Sequence, residues 1–135
     1  MASLRYYAGE GSGEVGEVIP ASRPSTLQYT RRDPVGIVGI ITPWNFPSAI
    51  PVWKMASALV YGNAVVFKPA ELSSLTARRL VSPMALLLPA GVVNLVIGRG
   101  ADVGEAVIRH PQVEAISLTG SVGVGEHIRE SVTVR

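Results

Sequence analysis

VGIVGIITPWNFPSAIPVWKMASALVYGNAVVFKPAE, from Val35 to Glu71, contains two apolar, β-branched runs with a helical pattern between them. Val35 to Ile41 and Ala64 to Phe67 are apolar throughout instead of alternating, which predicts strands covered on both faces. Between them, Ser48 to Tyr61 spaces its apolar residues as a helix does, and Gly62 supplies the stop. The unit recurs downstream. Val92 to Ile97 and Val113 to Leu118 read as further strands, and Ser73 to Leu87, Ala101 to Arg109 and Ser121 to about Val132 read as helices. Pro89 with Gly91, and His110 with Pro111, mark the intervening breaks. Strand and helix in strict alternation predict an α/β fold with a parallel sheet and right-handed crossovers.

Residues 1–33 differ. Leu4, Tyr6 and Tyr7 read as the end of a helix stopping at Gly9, with Gly11, Ser12 and Gly13 as a flexible joint. Glu14 to Ile19 and Thr26 to Arg32 alternate apolar and polar residues around Pro20, Ser22 and Pro24, predicting a β-hairpin. So exposed a ribbon needs a partner. The expected organisation is therefore a helix end and hairpin over 1–33, then the parallel α/β part over 34–135.

The whole chain has 135 residues, 47% of them apolar and only 16% charged, which excludes disorder. Its net charge of +2 comes from scattered basic residues, so no stripe exists to neutralise phosphates and nucleic acid is not expected as a partner. Pro34 to Trp53 and Leu80 to Gly98 carry no charge, yet Pro43, Pro47 and Pro51 in the first and Pro83, Pro89 and Gly91 in the second argue against membrane spans. No basic run followed by an apolar one opens the chain, so a cytoplasmic protein is expected. The shortage of charge predicts that part of the surface meets more protein. There is no cysteine, hence no disulfide, no thiolate metal site and no thiol nucleophile in these residues; the two histidines form no metal cluster, and His110 and His127 are expected to be exposed without a role.

In open parallel sheets ligands sit beyond the carboxyl ends of the strands. The segments there are TPWN (Thr42 to Asn45), KPAE (Lys68 to Glu71), GRGADVG (Gly98 to Gly104) and TGSVGVG (Thr119 to Gly125). GRGADVG spaces its third glycine one residue too far for the dinucleotide fingerprint, and a tight turn with positive φ at Gly98 or Gly100 explains it equally well. In TGSVGVG, Ser121 is placed to cap a helix whose N-terminus suits a phosphate; a merely capped and closely packed helix is the alternative. Lys68 and Glu71 could donate to and accept from ribose hydroxyls, or form a solvated pair. With only two lysines among ten arginines, the placement of Lys68 favours function. Asn45, flanked by Trp44, Phe46 and prolines, reads either as an aimed amide for a developing oxyanion or as a turn asparagine bonded to its own backbone.

Together, VGIVGIITPWNFP, Trp53–Lys54, GNAVVFKPAE, LPAGVVNLV and SLTGSVGVG resemble, in order and spacing, the NAD(P)-dependent aldehyde dehydrogenase superfamily. The likeness covers essentially the whole chain, and YYAGE and TRRDPVG resemble bacterial semialdehyde dehydrogenases. The resemblance implies a Rossmann-like cofactor-binding part. It implies that Asn45 holds the substrate oxygen, that Lys54 lies near a proton-release path, and that Ile41, Thr42, Pro43 and Trp44 line the cofactor cleft. Lys68, Ala70 and Glu71 are implied on the adenine ribose side, with Glu71 favouring NAD over NADP. Gly100 and Gly104 match the adenine-side turn; Thr119, Gly120, Ser121 and Val124 match the helix start beneath the pyrophosphate. The hairpin matches a ribbon through which subunits associate, so a homo-oligomer is implied. Ala85, Leu86 and Leu87 depart from the family pattern by removing a glycine helix stop before Leu88. The family's catalytic cysteine and general-base glutamate match no residue here, so these 135 residues are expected to be inactive alone. A non-catalytic dinucleotide-binding or assembly module is the competing reading.

Overall fold

The computed structural model describes residues 2–13 and 16–133. Helix α1 (Ala2–Glu10) runs one residue past the expected stop and lies on α2 (Ala49–Val60), where the Trp53 indole N–H donates to Ser3 Oγ at 2.8 Å. The chain leaves α1 through Gly11, whose close approach to Val60 leaves no room for a side chain: a Cβ would stand 2.3 Å from Val60 Cγ2.

Strands β1 (Val18–Ile19) and β2 (Gln28–Tyr29) pair antiparallel, Val18 opposite Tyr29. The expected hairpin forms, but its strands shrink from Glu14–Ile19 and Thr26–Arg32 to two residues each. Glu14 and Val15 lie outside the described residues. With both strands exposed, no packing extends the ladder beyond the bonds between Glu17 and Thr30.

The main sheet holds β3 (Ile37–Thr42), β4 (Ala64–Pro69), β5 (Val93–Leu95) and β6 (Val113–Leu118), all parallel in the order β5-β4-β3-β6. On one face Val38, Ile40, Val65 and Phe67 bury against Met55 and Ala58 of α2 and Ala77 and Val81 of α3 (Ser74–Leu87). Ile40, Met55, Val65, Phe67 and Ala77 are fully excluded from solvent. The opposite face carries α4 (Glu105–Arg109), followed after β6 by α5 (Val122–Thr133). Coverage on both faces is only partial: Ala64 and Val66 of β4 are half-exposed on the face that carries α4, and β5 and β6, each with a neighbour on one side only, are mostly half-exposed. Beside α4 the sheet floors an apolar cavity of about 400 Å³ lined by Val66, Val96, Val103, Val107 and Val113.

At the amino ends of the strands, Gly36 takes a φ of +118° that side chains rarely adopt. Its N–H donates to Asn63 Oδ1 at 3.1 Å, its carbonyl accepts from Ala64 N at 3.0 Å, and Asn63 Nδ2 donates to the Ala58 carbonyl at 2.9 Å. One buried asparagine thus ties the start of β3 to the end of α2 and the start of β4. Despite Pro83 and the missing glycine stop, α3 continues to Leu87; Ser82 Oγ donates to the Arg78 carbonyl at 2.7 Å in the turn that proline disrupts, and Leu88 is extended. The expected helix Ala101–Arg109 is shorter. A wide π-type turn, Gly100–Gly104, comes first, its Arg99 carbonyl collecting the N–H groups of Asp102, Val103 and Gly104. Among the described residues no helix is long and apolar enough to cross a membrane.

Candidate functional site

Because the four strands are parallel, their carboxyl ends share one edge: Thr42 stands beside Pro69, Ile41 beside Leu118, and Phe67 beside Leu95. All four sequence segments singled out for chemistry therefore leave the sheet on the same side.

Thr42 ends β3 and is 3% exposed; its hydroxyl has no hydrogen-bond partner among the described residues. Ile41 offers its carbonyl to Thr119 N at 3.0 Å, which locks the β6 exit against β3. Pro43 is half-buried, whereas Trp44 and Asn45 project into solvent. Neither sequence account of Asn45 is complete. The prolines restrict its backbone, but its amide makes no hydrogen bond among the described residues, either to its own turn or to a group that would aim it.

Lys68 corrects the expectation of a residue just outside the strand. The ladder continues through Ile41–Lys68 and Thr42–Pro69, so Lys68 is a strand residue, 5% exposed. It is not half of a solvated pair: no ion pair joins it to Glu71, which is exposed and opens a single 3-10 turn (Glu71–Ser73). Ala70 is half-buried, and its carbonyl accepts from the Ser73 backbone N–H at 3.0 Å and from Ser73 Oγ at 2.9 Å, closing that turn. The buried lysine and the exposed carboxylate thus lie three residues apart on a fixed turn.

Gly98 and Gly100 do not have positive φ. Gly98 is needed for another reason, since a Cβ would stand 2.3 Å from Val103 Cγ2 as the wide turn folds back. Gly100 is exposed and Gly104 buried. Ser121 caps α5 as expected, Oγ accepting from Val124 N at 3.4 Å, so the helix opens toward the same edge with Gly120 exposed before it. Thr119 is half-buried and Val124 exposed.

Lys54, on α2, reaches across to β6, where its ammonium donates to Ser117 Oγ at 2.9 Å. Burial pushes the Lys54 amine below the usual lysine range. Ser117 was not singled out from sequence, although a hydroxyl within an apolar strand was the available signal. His127 also has a partner not expected: its ring pairs with Glu105 on α4, and Arg109 holds the same carboxylate at 2.9 Å. The hydrogen bond from Arg109, then that from His127, holds Glu105 below the usual carboxylate range. His110 Nδ1 accepts from Gln112 N at 3.2 Å. No group of side chains among the described residues could hold a metal ion.

Residues 1–135 match the aldehyde dehydrogenase family. The chain belongs to that family. It is 49% identical to the α-ketoglutaric semialdehyde dehydrogenase of Bacillus subtilis across all of this chain and 28% of that relative, and 42% identical to the 2,5-dioxopentanoate dehydrogenase of Saccharolobus solfataricus across 96% of this chain and 27% of that relative. Among solved structures, betaine aldehyde dehydrogenase of Staphylococcus aureus in complex with NAD+ superposes with a TM-score of 0.94 at 36% identity, covering 98% of this chain and 26% of that one. PnpE in complex with nicotinamide adenine dinucleotide gives 0.92 at 41% identity, with 98% and 27% covered. The chain therefore spans little more than a quarter of the length of these relatives.

Proposed function

We propose that this chain is the cofactor-holding part of an NAD-dependent aldehyde dehydrogenase that oxidises an aldehyde to a carboxylic acid. The observation that carries the reading is the buried, unpaired Lys68 three residues before the exposed Glu71, on the edge toward which capped α5 opens. The stem of Lys68 is buried and its ammonium has no anion beside it, so a ligand rich in hydroxyl and phosphate oxygens supplies the acceptors it lacks. Lys68 and Glu71 hold the ribose diol, Lys68 as donor and Glu71 as acceptor, while Ala70 and the glycines of the Gly100–Gly104 turn border the adenine side. Glu71 repels a second phosphate on that ribose, favouring NAD over NADP. Thr119, Gly120, Ser121 and Val124 put the first turn of α5 under the pyrophosphate, where unpaired N–H groups and the helix dipole favour negative charge. Ile41, Thr42, Pro43 and Trp44 line the cleft, and the unpartnered Thr42 hydroxyl is available to it.

NAD, when bound, supplies the hydride acceptor. Asn45 donates to the aldehyde oxygen as negative charge develops on it, its uncommitted amide free to follow the substrate. Lys54 carries a proton at the same edge, with burial bringing its amine closer to neutral pH. The α-ketoglutaric semialdehyde named for the Bacillus subtilis relative is the aldehyde to try first. Residues 34–135 form the cofactor part; residues 1–33 carry the hairpin through which copies associate. We place the protein in the cytoplasm.

Isothermal calorimetry with NAD tests the reading. Each of Lys68→Ala and Glu71→Ala removes a charge-assisted hydrogen bond and is expected to weaken binding about tenfold or more. Unchanged affinity in both would remove this account of the site. The exposed apolar residues of the hairpin favour a second reading, a dinucleotide-binding or assembly module that associates through it without chemistry of its own.

A further inference from the structure

We propose that Ser117 is a positioning residue for Lys54, holding its ammonium at the ligand edge and in register with the start of α5. The inference rests on the proposed function, within which Lys54 is the proton-carrying group. Lys54 sits in the first half of α2 and Ser117 near the end of β6, separated by 63 positions in sequence but 2.9 Å apart as donor and acceptor. Ser117 stands beside Ile40, whose side chain is buried against α2 and α3, so the hydroxyl lies at the edge of an apolar layer. No carboxylate among the described residues pairs with Lys54; burial alone displaces its titration, without a contribution from neighbouring charge.

The hydroxyl is thus the group that decides where this cation rests. Ser117 lies two residues before Thr119, whose N–H is fixed on Ile41, and four before Ser121, which caps α5. The lysine on the substrate side and the helix start on the cofactor side are consequently set by the same strand end. Without an acceptor, a half-buried ammonium is costly and leaves for water.

Competitive acetylation of the chain across pH, read by peptide mass spectrometry, reports the titration midpoint of each of its two lysines. In Ser117→Ala, the Lys54 midpoint is expected to rise into the ordinary lysine range, while Ser117→Thr, which keeps the hydroxyl, leaves it depressed. A midpoint that stays or falls in Ser117→Ala, or rises equally in Ser117→Thr, overturns the proposal. The NAD titration of the unsubstituted chain separates the two claims. If NAD does not bind but the midpoint responds to Ser117→Ala, the cofactor reading fails and the tether remains; if NAD binds and the midpoint is indifferent, the tether alone fails.

Discussion

Gly39, in the middle of β3, has α4 packed directly over its backbone. A Cβ there would stand 2.7 Å from Ile116 Cδ1 and 2.9 Å from Val107 Cγ1, distances that real contacts do not reach. Gly39→Ala therefore drives the Ile116 and Val107 side chains from their places, and overpacking of this kind is expected to cost about 1–3 kcal/mol in urea denaturation. An unchanged midpoint would mean that these side chains absorb the methyl without strain. At this scale the sequence was legible in kind and not in setting. Lys68 stood out by scarcity, but its burial follows from Pro69 extending the ladder opposite Thr42, a pairing no local pattern reveals. Lys54 was identified by resemblance, whereas Ser117 belongs to a strand distant in sequence, so their bond emerges only when α2 crosses the sheet. The glycine at 98 was correctly seen as special for a wrong reason: Val103 crowds it, and its φ is ordinary.

Among elements, α4 and α5 are joined through Glu105, which accepts from Arg109 within α4 and meets His127 on α5. A carboxylate held below its ordinary value contributes stability that is present above the unfolded value, about 4.3, and is lost as pH falls through the lower folded value. Thermal melts should accordingly show this tie fading on the acid side of about pH 4. Glu105→Gln should flatten that part of the curve; parallel acid profiles for the two proteins would mean the tie contributes nothing. The alternation of elements was readable because the apolar runs, glycines and prolines are local signals, and β6 falls where expected at both ends. The wide turn before α4 was not, because Gly100 to Gly104 also satisfies a helical pattern, and the choice is made by three N–H groups converging on the Arg99 carbonyl.

For the molecule as a whole, the apolar residues at the surface are the dominant fact: Val18 and Leu27 are 75% and 74% exposed on the hairpin, and Leu86 and Leu87 are 87% and 85% exposed at the end of α3. Sedimentation of the purified chain is expected to show association that grows with concentration; a monomer at all concentrations would contradict the inference drawn from the scarcity of charge. With no thiol in the chain, mixing it with NAD and an aldehyde should give no NADH absorbance, and appearance of that absorbance would refute the assignment of these residues to cofactor holding alone. Asn63 carries a last consequence. Its side chain rivets the two central units together at the end of the sheet remote from the ligand edge, whereas at the opposite rim the Thr42 hydroxyl and the Asn45 amide lack hydrogen-bond partners among the described residues. The fold thus spends its asparagine bonds at the base and leaves polar groups at the rim uncommitted, so a guest that engages them there breaks no bond on which the sheet depends.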